Sequence, residues 1–360
     1  MIHDGLALDT GFLVHYELNY PLLCRLFAEL GVRTYETDMS FAVSCSGCGL
    51  EYSGRQPFAP LRNAGNPRFL RLLGEIGRWL RTADDTGLDE AQSLQSYVDE
   101  HRYSPRFRRH FLVPLTAALW STAPGRALEF PAASAIRFFR NHGMLGFGRF
   151  RWRTVEGGSR AYVGAIAEAL GERLHLGLGV RELRRTADGV ELLTDDGDLR
   201  RFDRVVVAAH ADQALRLLGD PSDDERRILG TFAYTENDTV LHTDSTFLPA
   251  ARRARSAWNY RLGDDGRPTV TYWLNRLQRL DTDTDYCVSL NGTVREEDVV
   301  ERFRYAHPLF TAETPRAQSE LKELSGERHT LYAGAHLGNG FHEDGLGSGI
   351  AAAAALGSAW

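Results

Sequence analysis

The sequence predicts an α/β protein (α+β overall) with two lobes, one inserted into the other. The first supporting observation is "RVVVAAH" (204–210), an apolar run flanked by charge and followed by a helical pattern, which is typical of a buried parallel strand. The second is the stretch 329–359, "HTLYAGAHLGNGFHEDGLGSGIAAAAALGSA", which indicates a strand, a glycine-rich loop and a small-residue helix. The third is the segment 67–145, which carries one helical pattern after another and indicates an inserted helical lobe.

The first elements along the chain are short. Residues 6–14 predict strand, turn and strand. A helix is predicted from Pro21, since proline favours the first helical position, and Gly31 is expected to end it. "MSFAVS" (39–44) alternates like a half-buried strand, and "GLEYSG" (49–54) is its predicted hairpin partner.

The later elements follow the same signals. "RWRTVEGGSRAYV" (151–163) predicts a strand, a glycine pair and a helix. Aspartate–glycine pairs at 188–189 and 196–197 predict tight turns between strands. Residues 232–325 are mostly β-like, with one helix expected near 297–305 and an exposed helix around Lys322.

Composition excludes several classes of function. The net charge of −6 without a basic stripe argues against a nucleic-acid partner. No apolar run reaches the roughly 18–20 residues of a membrane span. Four cysteines are too few for a disulfide scaffold, which favours a reducing, cytoplasmic location. Lys322 is the only lysine, so lysine-dependent chemistry has one candidate residue.

The glycine-rich loop near the carboxyl terminus is the strongest functional signal. Its glycines precede a helix start, where backbone N–H groups and the helix dipole favour an anionic or electron-rich ligand. The alternative is an alanine-rich helix packed closely on a sheet. "GSGIAA" (347–352) matches G-x-G-x-x-A but follows a loop rather than a strand, so we reject it as a dinucleotide fingerprint. The glycines concerned are Gly334, Gly338, Gly340, Gly345, Gly347 and Gly349.

Cys45 and Cys48 form a C-x-x-C pair between two strand-like runs. We interpret them as the inert end of a hairpin and predict no metal site, because the other two cysteines lie in apolar patterns and zinc takes four ligands. A redox pair or labile disulfide and a metal site remain the alternatives.

Other polar and aromatic residues give weaker signals. No H-E-x-x-H or G-x-S-x-G motif occurs. His142 is interpreted as a helix-end histidine, and His342 lies in the glycine loop, where it could face a ligand. Most tryptophans are expected in the core. "SAWNY" (256–260) and "TYWLNRLQ" (271–278) place aromatic residues beside amides, a mixture that lines apolar pockets.

Nine stretches of the chain resemble stretches of the flavin-dependent amine oxidase superfamily and follow one another in the same order. They look most like its bacterial branch of predicted NAD/FAD-binding oxidoreductases. They extend from residue 7 to about 357. The stretches are "ALDTGFLVHYELNYPLLCRLFAELGV", "DMSFAVS", "GLEYSG", "RWRTVEGGSRAYV", "VVVAAHADQALRLL", "VLHTD", "SAWNY", "TYWLNRLQ" and "YAGAHLGNGFHEDGLGSG".

The resemblance implies a flavoprotein whose FAD lies in a Rossmann-like lobe and whose substrate enters through a second lobe. It assigns 1–66, 155–231 and 326–360 to the FAD lobe, and 67–154 and 232–325 to the substrate lobe. In such proteins the strand after the glycine pair passes the adenine, which here indicates Val180. The residues expected near the flavin ring and pyrophosphate are Gly340, Phe341, His342, Glu343, Asp344 and Gly345, with Asp9, Thr10 and Gly11 on the other side.

Two departures from the family pattern stand out. The strand with G-x-G-x-x-G that normally precedes "ALDTGF" does not occur in this sequence, so we expect a Rossmann-like lobe that is N-terminally incomplete and lacks the pyrophosphate and ribose anchors. We expect a truncated or separately encoded start, with a degenerate paralogue as the alternative, and an exposed strand edge that favours association. The lysine that many amine oxidases place near the flavin also has no well-placed counterpart, because Lys322 lies in a polar stretch.

The sequence therefore predicts a cytoplasmic FAD-dependent oxidoreductase that transfers a hydride from a small apolar or amine substrate to flavin. The alternatives are a flavin-dependent desaturase or isomerase on a lipid- or terpenoid-like chain, and a non-catalytic remnant without FAD. The residues predicted to line the substrate pocket are His142, Trp152, Asn259, Tyr272 and Trp273.

Overall fold

A computed structural model describes residues 1–89, 92–120, 125–146, 151–263, 268–311 and 313–360, and the structural statements below concern these residues. The strands are β1 (Ile2–His3), β2 (Leu6–Ala7), β3 (His15–Tyr16), β4 (Thr34–Glu36), β5 (Phe41–Cys45), β6 (Leu50–Ser53), β7 (Trp152–Val155), β8 (Val180–Arg185), β9 (Val190–Thr194), β10 (Leu199–Phe202), β11 (Val205–Val207), β12 (Ala233–His242), β13 (Trp258–Leu262), β14 (Pro268–Trp273), β15 (Cys287–Leu290), β16 (Val299–Leu309) and β17 (Thr330–Tyr332).

The helices are α1 (Pro21–Glu29), α2 (Pro67–Thr82), α3 (Leu94–Glu100), α4 (Pro105–Phe107), α5 (Val113–Trp120), α6 (Ala132–Asn141), α7 (Arg160–Leu170), α8 (Ala211–Leu217), α9 (Asp223–Thr231), α10 (Leu274–Leu277), α11 (Thr314–Leu324) and α12 (His342–Ala355). A π-helical segment, Arg108–Leu112, joins α4 to α5. None of the described helices combines the length and apolarity needed to cross a lipid bilayer.

The chain forms two compact units, each assembled from three segments. The larger unit comprises Met1–Asn19, Val32–Val163 and Thr235–His307. The smaller unit comprises Tyr20–Gly31, Gly164–Tyr234 and Pro308–Trp360.

The larger unit is built around a seven-stranded sheet in the order β16-β12-β15-β14-β13-β5-β6. β5 lies parallel to β13 and antiparallel to β6, so residues more than 200 positions apart in sequence pair directly. One side of the sheet packs on an apolar core that includes Leu8, Leu241 and Val288. The helical block has its own aromatic centre at Trp79, which is fully buried among the rings of Tyr97, Tyr103, Phe107 and Phe139.

The smaller unit contains the parallel pair β11–β17 and the antiparallel sheet β10-β9-β8. Its core includes Leu183, Val207, Leu229, Leu321 and Tyr332, each of them buried. Helices α8, α9 and α11 contribute most of the remaining buried residues, because their apolar positions recur at helical spacing and point to the same side.

Most predicted elements are confirmed. The parallel strand at 205–207, the β5–β6 hairpin and the helices of the 67–145 block occur where their patterns predicted them. Pro21 occupies the start of α1, and Gly31 follows its end with φ of 66°.

The helix expected near 297–305 is wrong. Residues 299–305 belong to β16, an edge strand of the seven-stranded sheet, and a short 3-10 turn, Glu296–Asp298, precedes it. Charged residues lie between the apolar residues of β16 at spacings that resemble a helical pattern. In the strand, Val300 and Phe303 both pack against the core beside the sheet.

The units also divide the chain at points other than the predicted lobe boundaries. Residues 1–19 and 32–66, expected in the FAD lobe, belong to the larger unit. The physical reason is strand pairing, because β5 (Phe41–Cys45) hydrogen-bonds to β13 (Trp258–Leu262) and joins the sheet of the predicted substrate lobe.

Candidate functional site

The carboxyl-terminal strand, loop and helix form the framework of the candidate site in the smaller unit. β17 lies parallel to β11, with Val207 opposite Tyr332, and both strands end at the same edge. A loop leads from this edge to α12, which begins at His342. Ligands of open parallel sheets bind at the carboxyl ends of the strands, and a helix start there adds a positive dipole end. The geometry therefore favours an anionic or electron-rich ligand.

The glycines of this loop are required by close packing. A Cβ at Gly334 would lie 2.6 Å from the His336 ring, and a Cβ at Gly338 would collide with the Asp344 carboxylate. Gly340 has φ of 91°, which residues with a side chain rarely adopt. The loop can follow this path only because glycine occupies these positions.

Two acidic residues in the first turn of α12 already have structural partners. Asp344 Oδ2 accepts a hydrogen bond from the Phe341 N–H at 3.0 Å, which caps its own helix. Glu343 accepts from the N–H groups of Leu22 and Leu23 at 2.8 and 3.0 Å, which caps α1. The start of α1 at Pro21 has no side-chain cap of its own, so Glu343 supplies the cap from another helix.

A groove of about 610 Å³ follows one face of α12. Its volume lies within the range of about 300–1,000 Å³ that is typical of ligand pockets. The helix contributes mainly glycine, serine and alanine at spacings of three and four residues, so the wall carries little side-chain bulk. The lining residues are Lys322, Ser325, Leu331, Tyr332, Leu337, Gly338, Glu343, Asp344, Gly347, Ser348, Ala351, Ala352 and Ala355.

Charge in the groove is mixed. Burial raises the pKa of Asp344, while hydrogen bonds from the backbone of Phe341 and Asn339 and the positive charge of Lys322 oppose that rise. Lys322 is exposed on α11, as predicted, but it also lines the groove. The sequence does not predict this second property, because the side of α11 that Lys322 faces depends on tertiary packing.

The remaining residues of the predicted flavin set are placed as follows. Gly345 follows the Asp344 cap, and its N–H donates to the Phe341 carbonyl at 3.1 Å as part of α12. His342 is exposed at the first position of the helix. Val180 is exposed at the start of β8, opposite Thr194 of β9.

Asp9 in the larger unit is buried and bonded on both sides. Its two carboxylate oxygens accept from the Ser159 N–H at 2.8 and 3.0 Å, just before α7. The Gln278 amide donates to Asp9 Oδ2 at 3.2 Å and accepts from the Asp9 N–H at 3.1 Å. Burial raises the pKa of Asp9, and the Ser159 hydrogen bonds oppose that rise. Asp9 therefore links its own loop to the start of α7.

Thr10 and Gly11 follow Asp9 directly. The Thr10 hydroxyl lies 2.8 Å from the Tyr305 hydroxyl. Gly11 is exposed, and a Cβ there would meet no atom within 4 Å. Gly11 is therefore the most open of these three residues to a ligand.

Of the predicted pocket residues, His142 and Trp152 occupy separate positions in the larger unit. His142 ends α6, with its ring stacked 3.8 Å from that of Phe138 and Nδ1 3.0 Å from the Phe138 carbonyl oxygen. Burial lowers the pKa of His142. Trp152 begins β7, with its ring 5.7 Å from that of Tyr16.

Asn259, Tyr272 and Trp273 lie on adjacent strands but not on one face. Asn259 is opposite Thr271, so the alternation of side chains puts Tyr272 on the other face of the sheet from Asn259 and Trp273. The Tyr272 ring is parallel to that of Trp258, with centroids 6.1 Å apart. The indole N–H of Trp273 donates to Asp285 at 2.9 Å.

The amide of Asn259 is used within the protein. It accepts from the Ser256 N–H at 3.0 Å and donates to the Ser256 and Thr271 carbonyls. Asn259 is 1% exposed, so its side chain holds the start of β13 in place.

A buried polar row crosses the seven-stranded sheet, and the sequence analysis did not predict it. His242 Nε2 lies 2.8 Å from Ser289 Oγ, which in turn lies 2.6 Å from Thr271 Oγ1. His242 Nδ1 accepts from the Asp244 N–H at 3.1 Å, so Nε2 carries the proton and donates to Ser289. Because the imidazole donates to this serine, it cannot take the serine proton, and the row is structural.

Comparison with known protein families shows which family the chain belongs to. Residues 2–357 match the family model described as flavin containing amine oxidoreductase. The chain belongs to this family. No curated protein matches the chain.

Solved structures of this family and its relatives share the fold. A putrescine oxidase redesigned in its cofactor binding has a TM-score of 0.66 at 14% identity, covering 98% of this chain and 89% of its own. Cyclohexylamine oxidase from Brevibacterium oxydans has a TM-score of 0.62 at 15% identity, with coverages of 97% and 87%. A fatty acid isomerase from P. acnes has a TM-score of 0.63 at 12% identity, with coverages of 96% and 86%.

The family is flavin-containing, and the residues of the smaller unit fit such a group. The glycines of the loop leave no side chain at its turns, and the start of α12 points its positive dipole end at the carboxyl edge of the parallel strands. The groove beside it has room for an extended ligand. Its lining includes one cationic side chain, that of Lys322.

Proposed function

We propose that the chain is an FAD-dependent oxidoreductase that removes a hydride from a small apolar or amine substrate. The observation that carries this proposal is the β17–loop–α12 arrangement, in a chain whose residues 2–357 match the flavin-containing family. When bound, a flavin supplies the two-electron acceptor for the hydride. The substrate carbon loses that hydride, and a proton leaves to water as a C=N or C=C bond forms.

The proposed role of the chain is to hold and orient. The positive end of α12 would stabilise negative charge on a bound ring. Asp344 keeps this turn rigid through its bond to Phe341. Lys322 in the groove lining supplies a charge that attracts phosphate.

In the larger unit we propose Tyr272 as a wall of the substrate pocket. Its ring is half-buried and parallel to that of Trp258, which supports contact with a flat or apolar substrate. Burial raises the pKa of Tyr272 to about 12, so its hydroxyl stays protonated at neutral pH. His142, Trp152 and Trp273 remain predicted pocket residues. We assign Asn259 a structural role, because its amide is hydrogen-bonded within the protein.

The test of the cofactor proposal is binding of added FAD to the folded, purified chain, measured by flavin absorbance and by fluorescence titration. His342→Asp adds a negative charge at the start of α12, which favours the helix but repels an anionic or electron-rich ligand. We expect its FAD affinity to fall roughly tenfold, because unit charges a few ångströms apart near a protein surface interact by about 1.4 kcal/mol or more.

The matched control is His175→Asp, the same change at another exposed histidine of the smaller unit. It should bind FAD like the unaltered chain. A folded protein that stays colourless with added FAD contradicts the proposal and favours the non-catalytic remnant. Equal affinity in both variants contradicts the proposed position of the ligand at the start of α12.

A second candidate is a flavin-dependent isomerase or desaturase of a lipid- or terpenoid-like chain. The likeness of fold to a fatty acid isomerase favours this candidate. The only lysine also lies on the polar helix α11 of the smaller unit, where the sequence predicts no counterpart of the lysine that many amine oxidases use. Anaerobic mixing separates the two: bleaching of bound flavin by amines supports the first, whereas double-bond movement in an unsaturated fatty acid supports the second.

A further inference from the structure

A cluster of three side chains of metal-ligating types lies in the larger unit. Cys45 ends β5, Cys48 lies in the turn to β6, and His110 lies in the π-helical segment. One ligand atom from each lies within 4.8 Å of the other two, the only such group among the described residues. Cys45 and His110 are buried and Cys48 is exposed, so the cluster reaches the surface at one sulfur.

The spacing of these atoms suits a tetrahedral metal. With Zn–S near 2.3 Å and Zn–N near 2.0–2.1 Å, a sulfur and a nitrogen on one zinc ion lie about 3.6 Å apart. Cys48 Sγ and His110 Nε2 are 3.8 Å apart. Gly49, with φ of 65°, turns the chain back after Cys48 and keeps both sulfurs at the end of the hairpin.

The surroundings of His110 hold its ring at the cluster. The residue is 5% exposed. Its Nε2 is directed at a thiol, a weak partner for a buried ring. The Tyr52 hydroxyl donates to the His110 carbonyl at 2.7 Å, which fixes the π-helical segment against β6. Such π-helical turns occur frequently at functional sites.

The ligand set also suits the charge of a divalent ion, because two thiolates would balance it.

We propose that Cys45, Cys48 and His110 bind one zinc ion, with water as the fourth ligand on the exposed side of Cys48. The ion ties the β5–β6 hairpin to the helical block through the segment 108–112. Two sulfurs and one imidazole select zinc over magnesium or calcium, which prefer oxygen ligands.

The experiment is a Co²⁺ titration of the reduced, metal-free full chain, followed by Zn²⁺ competition and elemental analysis. We expect one equivalent of Co²⁺, with thiolate charge-transfer absorbance and the intense visible bands of tetrahedral cobalt, all displaced by Zn²⁺. Cys48→Ser should bind Co²⁺ at least tenfold more weakly, with a weaker charge-transfer band per bound ion because one thiolate is lost. Because Cys48 is exposed, this variant is expected to fold.

Cys24→Ser is the matched control, because it removes one thiol and leaves the cluster intact. It should bind cobalt like the unaltered chain, and zinc should raise the melting temperature of both but not of Cys48→Ser. Three results overturn the proposal: no metal bound by folded, reduced protein; equal binding in Cys48→Ser; or a Cys45–Cys48 disulfide that forms in air equally fast with and without zinc.

Discussion

At the scale of single residues, the protein uses several functional-looking side chains as internal braces. Asp9 holds the start of α7, Glu343 caps α1, and Asn259 fixes the start of β13. Each is a polar residue in a suggestive sequence context, and each has its hydrogen-bonding capacity met by backbone groups. Hydrogen bonds of this kind cannot be deduced from sequence, because they join segments more than a hundred residues apart or depend on a local turn.

His242 gives a residue-scale prediction about acid. The residue is fully buried, and burial lowers its pKa from 6.5 to about 4, although Asp244 and Asp298 oppose the shift. The neutral ring is favoured in the folded state, so its stabilisation is complete above pH 6.5 and is lost as the pH falls towards 4. Between about pH 7 and pH 5 this one group should cost about 2 kcal/mol.

Urea unfolding at both pH values measures that loss. His242→Asn keeps an acceptor for the Asp244 N–H and should be less stable overall, yet lose about 2 kcal/mol less on acidification. His175→Asn, at an exposed site, should keep the acid sensitivity of the unaltered chain. Equal acid sensitivity in the His242 variant would show that the buried ring is protonated without cost.

At the scale of elements, the sequence predicts the local order well and the long-range pairing poorly. Proline and glycine punctuation gave α1 its bounds, and the apolar run at 205–207 gave the parallel strand. β16 was mistaken for a helix because an edge strand with charges between its apolar residues has no clean two-residue period. The opposite faces of Asn259 and Tyr272 follow from register, which sequence alone does not fix.

The cap that α12 supplies to α1 gives an element-scale prediction. Glu343→Gln removes the charge that accepts from Leu22 and Leu23 and weakens the start of α1. The free energy of unfolding should fall by about 0.5–2 kcal/mol, as for other lost caps. Urea denaturation should show a lower midpoint with an unchanged slope.

Glu323→Gln on the exposed side of α11 is the control, and its midpoint should stay within about 0.5 kcal/mol of the unaltered chain. Equal midpoints for the two variants would mean that α1 is held by packing alone.

At the scale of the whole molecule, the chain passes between its two units several times, and each unit is completed by distant segments. Composition and length predicted two lobes, and the resemblance predicted the family, which the family match confirms. The unit to which each segment belongs was harder to predict, because the sequence does not show which strand edge β5 pairs with. The sequence also did not predict that His110 would lie beside Cys45 and Cys48, because it is 62 residues from Cys48 in sequence.

The pairing of β5 with β13 predicts which deletions the fold tolerates. A chain starting at residue 67 lacks β5 and β6, so it exposes the edge of β13 together with Trp258 and Tyr260, which are each 2% exposed. We expect this fragment to be insoluble or to lack cooperative thermal unfolding by circular dichroism. Removing only residues 357–360, an exposed end, should leave solubility and cooperativity intact. A soluble, cooperative 67–360 fragment would contradict the proposed importance of this pairing.

The position of Lys322 has a practical consequence. Because it is the only lysine of the chain and lines the groove beside α12, an amine-selective fluorophore can attach at that site and, elsewhere, only to the terminal amino group of Met1. Labelling at a pH high enough to deprotonate a side-chain amine would place a reporter on the wall of the groove without mutagenesis. Any ligand that fills the groove should then protect Lys322 from modification, so the protein carries a built-in probe of occupancy at its candidate cofactor site.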